Sequence, residues 1–232
     1  MSDIKLAFFD MEGTLFREAV HWRDTQVAPS AWVAIAQHLG ADAYKEEQLT
    51  QFKWQNNQYR NYVEWMEDTI RIHKKYGLDK QSFKSILDGI DFMPRIHEVF
   101  EVLHTNRIIT SLISGGFKYQ ADRAVRELKI NHSFVACEYF WDNQNLLTHW
   151  NLLPGDFCGK IGFMKLLVKE YDISEENCIF VGDGENDRGL AANVGISIAF
   201  NGPAQLQEVS TYSVNQESGS EDLRAILPYL DF

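Results

Sequence analysis

Cysteine is scarce in this chain: three residues among 232, at positions 137, 158 and 178. Odd in number and far apart, Cys137, Cys158 and Cys178 have neither disulfide nor metal-ligand spacing, which fits a reducing compartment. No apolar run approaches the roughly 18 residues of a membrane span. The opening "MSDIKLAFFD" lacks the apolar core of a signal peptide. No membrane partner is expected, the sequon at Asn131 is expected to meet no glycosylation enzyme, and a soluble cytoplasmic protein is the default. Positive charge is also in short supply, with 22 Lys plus Arg against 33 Asp plus Glu and a net charge of -11. A surface that acidic repels a phosphate backbone, so nucleic acid is not an expected partner. A small anionic substrate stays compatible, because one site can be positive on a negative protein. Repeats and low-complexity segments are missing too. What is plentiful is apolar and aromatic side chain, 45% and 13% of the residues. That suffices for one α/β domain with an insertion or for two small domains.

Short apolar runs at 4–9, 107–113, 177–182 and 196–200 read as strands buried on both faces. Helical patterns lie among the later ones, at about 118–129, 160–171, 186–194 and near 221–230. Strands separated by helices predict a parallel, doubly wound sheet. The stretch 134–153 breaks that rhythm and reads as a β-hairpin. Residues 17–92 differ, with helical patterns at 29–39, 43–58, 61–76 and 80–88 and no convincing strand. Asn61 with Glu64 three residues on forms a plausible capping box, and Pro94 suits the first turn of a helix returning to the sheet.

In an open parallel sheet, ligands bind beyond the carboxyl ends of the strands. Asp10 and Glu12 follow the first strand in "FFDMEGTLF", Ser114, Gly115 and Gly116 follow "IITSLI", and Asp183 and Asp187 follow "CIFVG" within "VGDGEND". Taken singly, each group is ordinary turn chemistry. Lys160 alone is a lysine near a helix start, where its charge opposes the dipole. Gathered at one edge, the carboxylates repel by about 4 kcal/mol per pair at ~4 Å and an effective dielectric near 20. Such a gathering asks for a cation, and an all-oxygen site with few protein ligands suits Mg²⁺. A serine hydroxyl and successive backbone N–H groups can hold phosphate oxygens. This is equipment for phosphoryl transfer.

These residues, in this order, resemble the four motifs of the haloacid dehalogenase (HAD) superfamily, and within it the phosphoserine phosphatase-like branch. "DMEGTL", "LISGGF", "GKIGFMKLL" and "VGDGENDRGLAANVGISIAF" carry the likeness, the last most specifically. The resemblance implies a Rossmann-like α/β core over 1–16 and 93–232, with an all-helical cap inserted over 17–92. It implies a phosphatase acting on a small phosphorylated metabolite with Mg²⁺. Asp10 would be the nucleophile and Glu12 the general acid/base, its backbone carbonyl also on the metal. Asp183 and Asp187 would complete the metal site. Ser114, Gly115, Gly116, Thr14 and Asn186 would bind the substrate's phosphoryl end, Lys160 would neutralise it and orient Asp10, and Asn186 with Gly184 would also shape the loop. One departure stands out: Glu12 occupies a position where the family usually has Asp, adding roughly 1.5 Å of reach.

The substrate is less legible. Glu18 lies one position from where the branch's amino-acid-gripping glutamate is expected, and Arg60 and Arg71 match its cap arginine poorly, reading better as solvated helix charges. Trp22, Trp32, Trp54 and Trp65 all fall in the insertion. They read as helix-bundle core or, alternatively, as an aromatic wall suited to a quaternary amine such as phosphocholine. Transfer to an alcohol instead of water, carbon–halogen hydrolysis and a silent binding protein are the competing readings. Glu12 argues against the dehalogenase, and chemically competent side chains at all four motifs argue against silence.

Overall fold

The computed structural model describes residues 4–18, 20–23 and 26–230, without the side chains of 20–23, 26 and 27. In chain order the elements begin with β1 (Leu6–Phe9), the pair β2 (Val20–Arg23) and β3 (Gln26–Ala28), and the helices α1 (Ala31–Leu39), α2 (Ala41–Gln55), α3 (Tyr62–Lys75) and α4 (Lys80–Asp88). Next come α5 (Ile96–Thr105), β4 (Ile109–Phe117), α6 (Lys118–Leu128), β5 (His132–Trp141) and β6 (Leu147–Leu152). The chain then runs through α7 (Cys158–Glu170), β7 (Cys178–Gly182), α8 (Arg188–Ala191), β8 (Ile196–Phe200), α9 (Ala204–Gln207) and β9 (Tyr212–Val214).

Seven strands form one sheet in the order β6-β5-β4-β1-β7-β8-β9. All neighbours run parallel except β5 and β6, the expected hairpin. Period-two alternation divides the strand side chains between two apolar layers. Ala7, Phe9, Ile179 and Val181 face one layer with Val99 and Phe100 of α5. Leu6, Phe8, Cys178 and Phe180 face the other, with Met164 and Leu167 of α7. A sheet covered on both faces explains why β1, β7 and β8 are wholly buried and read as unbroken apolar runs.

Register brings the central strand ends level. Phe9 pairs with Leu112 on one side and Val181 on the other, so β1 and β7 finish nearly level at the centre of the sheet. Strand β4 runs on to Phe117 and carries Ser114, Gly115 and Gly116 within the strand, where the sequence reading expects them after it. The motif residues thus gather at one edge, Asp10 and Asp183 just after β1 and β7, and Ser114, Gly115 and Gly116 in the last stretch of β4 itself.

The helical insertion packs on this edge without a break in apolar packing. Phe117, the last residue of β4, contacts Trp32 of α1 (ring centroids 4.2 Å) and Phe83 of α4 (5.2 Å). Backbone bonds from Leu147 N–H to the Leu78 carbonyl and from Lys80 N–H to the Asn145 carbonyl, both 2.9 Å, tie it to the β5–β6 hairpin.

Several sequence expectations are corrected. The insertion is not purely helical, since β2 and β3 pair antiparallel within it. Their four and three residues are too short for alternation to show. The helix expected at 186–194 is a 3-10 turn, Glu185–Asp187, leading into the single turn of α8. The Asp187 carboxylate reaches back to the Asp183 and Gly184 N–H groups and tightens the chain there. The last helix is 3-10, Leu223–Tyr229, and contains Pro228, which lacks the donor that an α-helix needs. Pro94 lies just before the helix it was expected to begin, with Arg95 as the cap of α5. The capping box of α3 is half formed. Asn61 accepts from Glu64 N–H at 3.0 Å, but Glu64 turns to Arg60 N–H at 2.7 Å.

Candidate active site

Lys160 organises the site. It sits in the first turn of α7, fully buried, with Nζ 2.6 Å from Asp10 Oδ1, 2.6 Å from Asp187 Oδ1 and 3.6 Å from Asp156 Oδ1. Burial disfavours its charge, but Asp10, Asp187 and Asp156 outweigh that and hold the ammonium well above its usual range. This is why a cation tolerates the positive end of a helix dipole.

The carboxylates around it are each held from another direction. Asp10 ends β1, and its N–H continues the ladder to the Val181 carbonyl at 3.0 Å. Burial pushes the Asp10 carboxyl up to about 8, with Lys160 pulling the other way. Asp187 accepts from the N–H groups of Asp183 and Gly184, both at 3.0 Å. Asp183 accepts from the Thr14 hydroxyl at 2.8 Å. Its carboxyl is raised well above the usual range by burial and by its neighbours Asp10 and Asp187. Gly13 has φ +81, and a Cβ there would run into the Asp183 carboxylate. The turn after β1 therefore needs glycine on both counts.

Glu12 rises from the same turn. Its Oε2 accepts from the Ala31 N–H at the start of α1 (3.3 Å), while Oε1 is buried without a partner. Burial pushes this carboxyl up to about 7, against the pull of the Ala31 N–H. An aspartate, one methylene shorter, would fall short of that helix start.

Asp10, Glu12, Ser114, Gly115, Gly116, Asp183, Gly184 and Asn186 all line one cavity of about 290 Å³. Thr14, Lys160 and Asp187 lie behind that lining. Thr14 spends its hydroxyl on Asp183, and Lys160 and Asp187 are fully buried. Glu18 lines the cavity, whereas Arg60 and Arg71 lie outside it and pair with Glu64 and Glu67 on the exposed face of α3. Trp32 and Trp65 line it, and Trp54 stacks behind on Trp65 at 4.9 Å. The Trp22 side chain lies outside the described residues.

Four residues of the site escaped the sequence reading. Asp156 accepts from Asn186 Nδ2 at 2.6 Å. Its signal was the spacing of one helical turn to Lys160. Tyr62 donates its hydroxyl to the Gly115 carbonyl at 2.9 Å, joining α3 to the second motif. Glu47 and Ser30 also line the cavity, and nothing in their local sequence marked them.

Asp10, Asp183 and Asp187 present oxygens within 4.8 Å of one another. With Asp156 there are four carboxylates near one lysine. The donor set is all oxygen and short of positive charge, so it fits a hard divalent cation.

A doubly wound sheet carrying this acid–lysine constellation, with acids beyond the adjacent strands β1 and β7 and the lysine at the start of α7, defines a class, and the family model for haloacid dehalogenase-like hydrolases matches residues 4–195. The chain belongs to that family. It is similar to the phosphoserine phosphatase of Archaeoglobus fulgidus, 29% identical over 157 residues that cover 68% of this chain and 45% of the relative. The matched stretch thus spans less than half of that protein. Against the phosphoserine phosphatase of Idiomarina loihiensis, identity is 28%, covering 68% of this chain and 72% of the relative. The similarity to that of Albidiferax ferrireducens is 25% but runs over 96% of this chain and 88% of the relative. Among solved structures, a phosphoserine phosphatase with an analogue of its phospho-aspartyl intermediate superimposes with a TM-score of 0.78 at 20% identity, covering 98% of this chain and 99% of that one. That likeness shows the fold. No helix among the described residues is long and apolar enough to cross a membrane.

Proposed function

We propose that the protein is a Mg²⁺-dependent phosphatase that hydrolyses a small phosphomonoester through an aspartyl-phosphate on Asp10. The observation that carries this reading is Asp10 held by a buried lysine at 2.6 Å while Glu12, with its unpartnered Oε1, lines the same cavity.

Asp10 attacks phosphorus with a carboxylate oxygen, and the bond from phosphorus to the ester oxygen breaks. Lys160 pulls Asp10 toward its ionised form, against burial, and aims it. The leaving alkoxide takes the proton from Glu12, whose value near 7 suits both giving and accepting one. In the second step Glu12 takes a proton from water. The water oxygen bonds to phosphorus, the acyl-phosphate bond breaks, and Asp10 and inorganic phosphate are released. Ser114 and the N–H groups of Gly115 and Gly116 hold the phosphoryl oxygens. Asp10 and Asp183, the Glu12 backbone carbonyl and Asp187, directly or through water, would hold Mg²⁺. Bound there, it neutralises the charge gathering on the phosphoryl group. Residues 17–92 act as the cap that closes over the leaving group and excludes water.

A screen of phosphorylated metabolites with Mg²⁺ tests the proposal. Phosphate release is expected, lost on adding EDTA and lowered by about 10⁴-fold or more in Asp10→Asn. Release that persists in that variant rules the mechanism out.

A further inference from the structure

The sheet supplies one side of the cavity and the insertion supplies the other. On the insertion side lie Trp32 of α1, Glu47 of α2, and Tyr62, Trp65, Met66 and Thr69 of α3. Glu47 is only 6% exposed, and its Oε2 is buried with no hydrogen-bond partner. Nearby donors are occupied elsewhere. The Thr50 hydroxyl donates to the Glu47 backbone carbonyl at 2.8 Å and lies 3.2 Å from that of Thr69. Trp65 Nε1–H donates to Thr50 Oγ1 at 3.2 Å. A carboxyl shut away from water without a partner destabilises the free protein.

The charge on this side has one sign. Among the described residues lining the cavity there is no arginine or lysine, while Glu18 and Glu47 both line it. Among the described residues, a leaving group that carries a carboxylate would find no counter-charge here. One that carries a positive nitrogen would find an acid and two indoles lining one cavity, the surroundings that favour an organic cation.

We propose that the insertion side of the cavity is a cation subsite, in which Glu47, sharing that wall with Trp32 and Trp65, receives the charged nitrogen of an amino-alcohol phosphate. The proposal rests on the phosphatase reading for its turnover and deepens it by assigning the leaving group. A protonated amine would donate N–H to Glu47 Oε2, and a quaternary nitrogen would lie against the aromatic rings. The first gives Oε2 the hydrogen bond it lacks, and the second balances its charge.

The test compares kcat/KM for phosphoethanolamine, phosphocholine, the uncharged isostere 3,3-dimethylbutyl phosphate and phosphoserine, on the intact chain with Mg²⁺. At least one cationic ester is expected to exceed the neutral one by about tenfold or more, the worth of a single charge-assisted contact. Phosphoserine, which is phosphoethanolamine with a carboxylate added, is expected to be the poorer of that pair. Glu47→Gln, nearly the same shape, should bring the ratio of cationic to neutral ester within about threefold of one. Trp65→Leu should lower phosphocholine turnover more than phosphoethanolamine turnover. Titration with choline or ethanolamine alone, followed by tryptophan fluorescence, gives a readout independent of chemistry. Binding that Glu47→Gln removes, with no ester hydrolysed, keeps the subsite and sinks the phosphatase reading. Good turnover of the neutral ester without preference for charge, or phosphoserine outrunning phosphoethanolamine, overturns the subsite and leaves the phosphatase reading standing.

Discussion

On the sheet side of the cavity Asp10, Asp156, Asp183 and Asp187 each accept from a partner fixed by the fold, whereas on the insertion side Glu47 Oε2 accepts from nothing. Both groups of acids are shielded from water, and both have carboxyls raised by burial. The difference lies in who supplies the compensation. Lys160 and the backbone amides stand ready before any ligand arrives, as a reacting centre requires. The insertion leaves its acid open, as a surface that selects a ligand can.

The sharpest way to break this comparison is to remove the built-in compensation. Lys160→Met should destabilise the fold by about 3–5 kcal/mol near pH 8, since it strands buried carboxylates around an apolar side chain. Urea unfolding with and without Mg²⁺ would read it, and the ion is expected to restore part of the loss. A midpoint equal to that of the unaltered protein would mean the network is not ionised.

Glu47→Gln should act in the opposite sense. Burial pushes this carboxyl up to about 7 from 4.5. A value raised in the fold means stability present below about 4.5 and lost as pH rises through 7. The amide should therefore gain up to about 3 kcal/mol at pH 8 and almost nothing at pH 4, by paired denaturation curves. A gain of equal size at both pH values would trace to packing instead.

His73 sharpens the contrast from within the insertion. Its Nδ1 meets the Tyr139 hydroxyl at 2.9 Å, its Nε2 is unpartnered, and burial pushes the imidazole down to about 3. A value lowered in the fold means stability held above about 6.5 and lost as pH falls toward 3. At pH 5 that amounts to about 2 kcal/mol. His73→Gln should flatten the acid side of the stability profile by about one proton. A slope unchanged by the substitution assigns that proton elsewhere.

The smallest effect belongs to the arginines at the rim. Arg60, just before α3, and Arg71, within it, are 85% and 64% exposed at the side chain, and each pairs with a glutamate four positions away. Replacing either with alanine should leave KM and the urea midpoint within error. A several-fold rise in KM would draw them into substrate contact after all.

How much of the molecule the sequence disclosed depends on the range over which each signal acts. The strands of the central sheet announced themselves because burial on both faces keeps Leu6–Phe9 and Ile196–Phe200 almost wholly apolar. Asp10, Ser114 and Asp183 could be read because parallel strands carry their carboxyl ends to one edge. The short pair β2 and β3 escaped, too brief for a period of two to register. Asp156 and Tyr62 escaped for another reason. In "PGDFCGK" the one-turn spacing of Asp156 to Lys160 is the single local signal, nothing in "RNYVEW" distinguishes a site residue from a helix face, and tertiary packing brings the two to Asn186 and Gly115. The tryptophans divided: Trp32 and Trp65 line the cavity, while Trp54 stacks behind on Trp65.

Lys160 reaches Asp10 across 150 positions of the chain and Asp187 across 27, and Thr14 meets Asp183 across 169. Such closures come late in folding, because loop entropy must be overcome before the contacts reward it. A refolding chain would therefore regain its helices well before it regains turnover, and catalysis would time the joining of its two ends more faithfully than any measure of helix content.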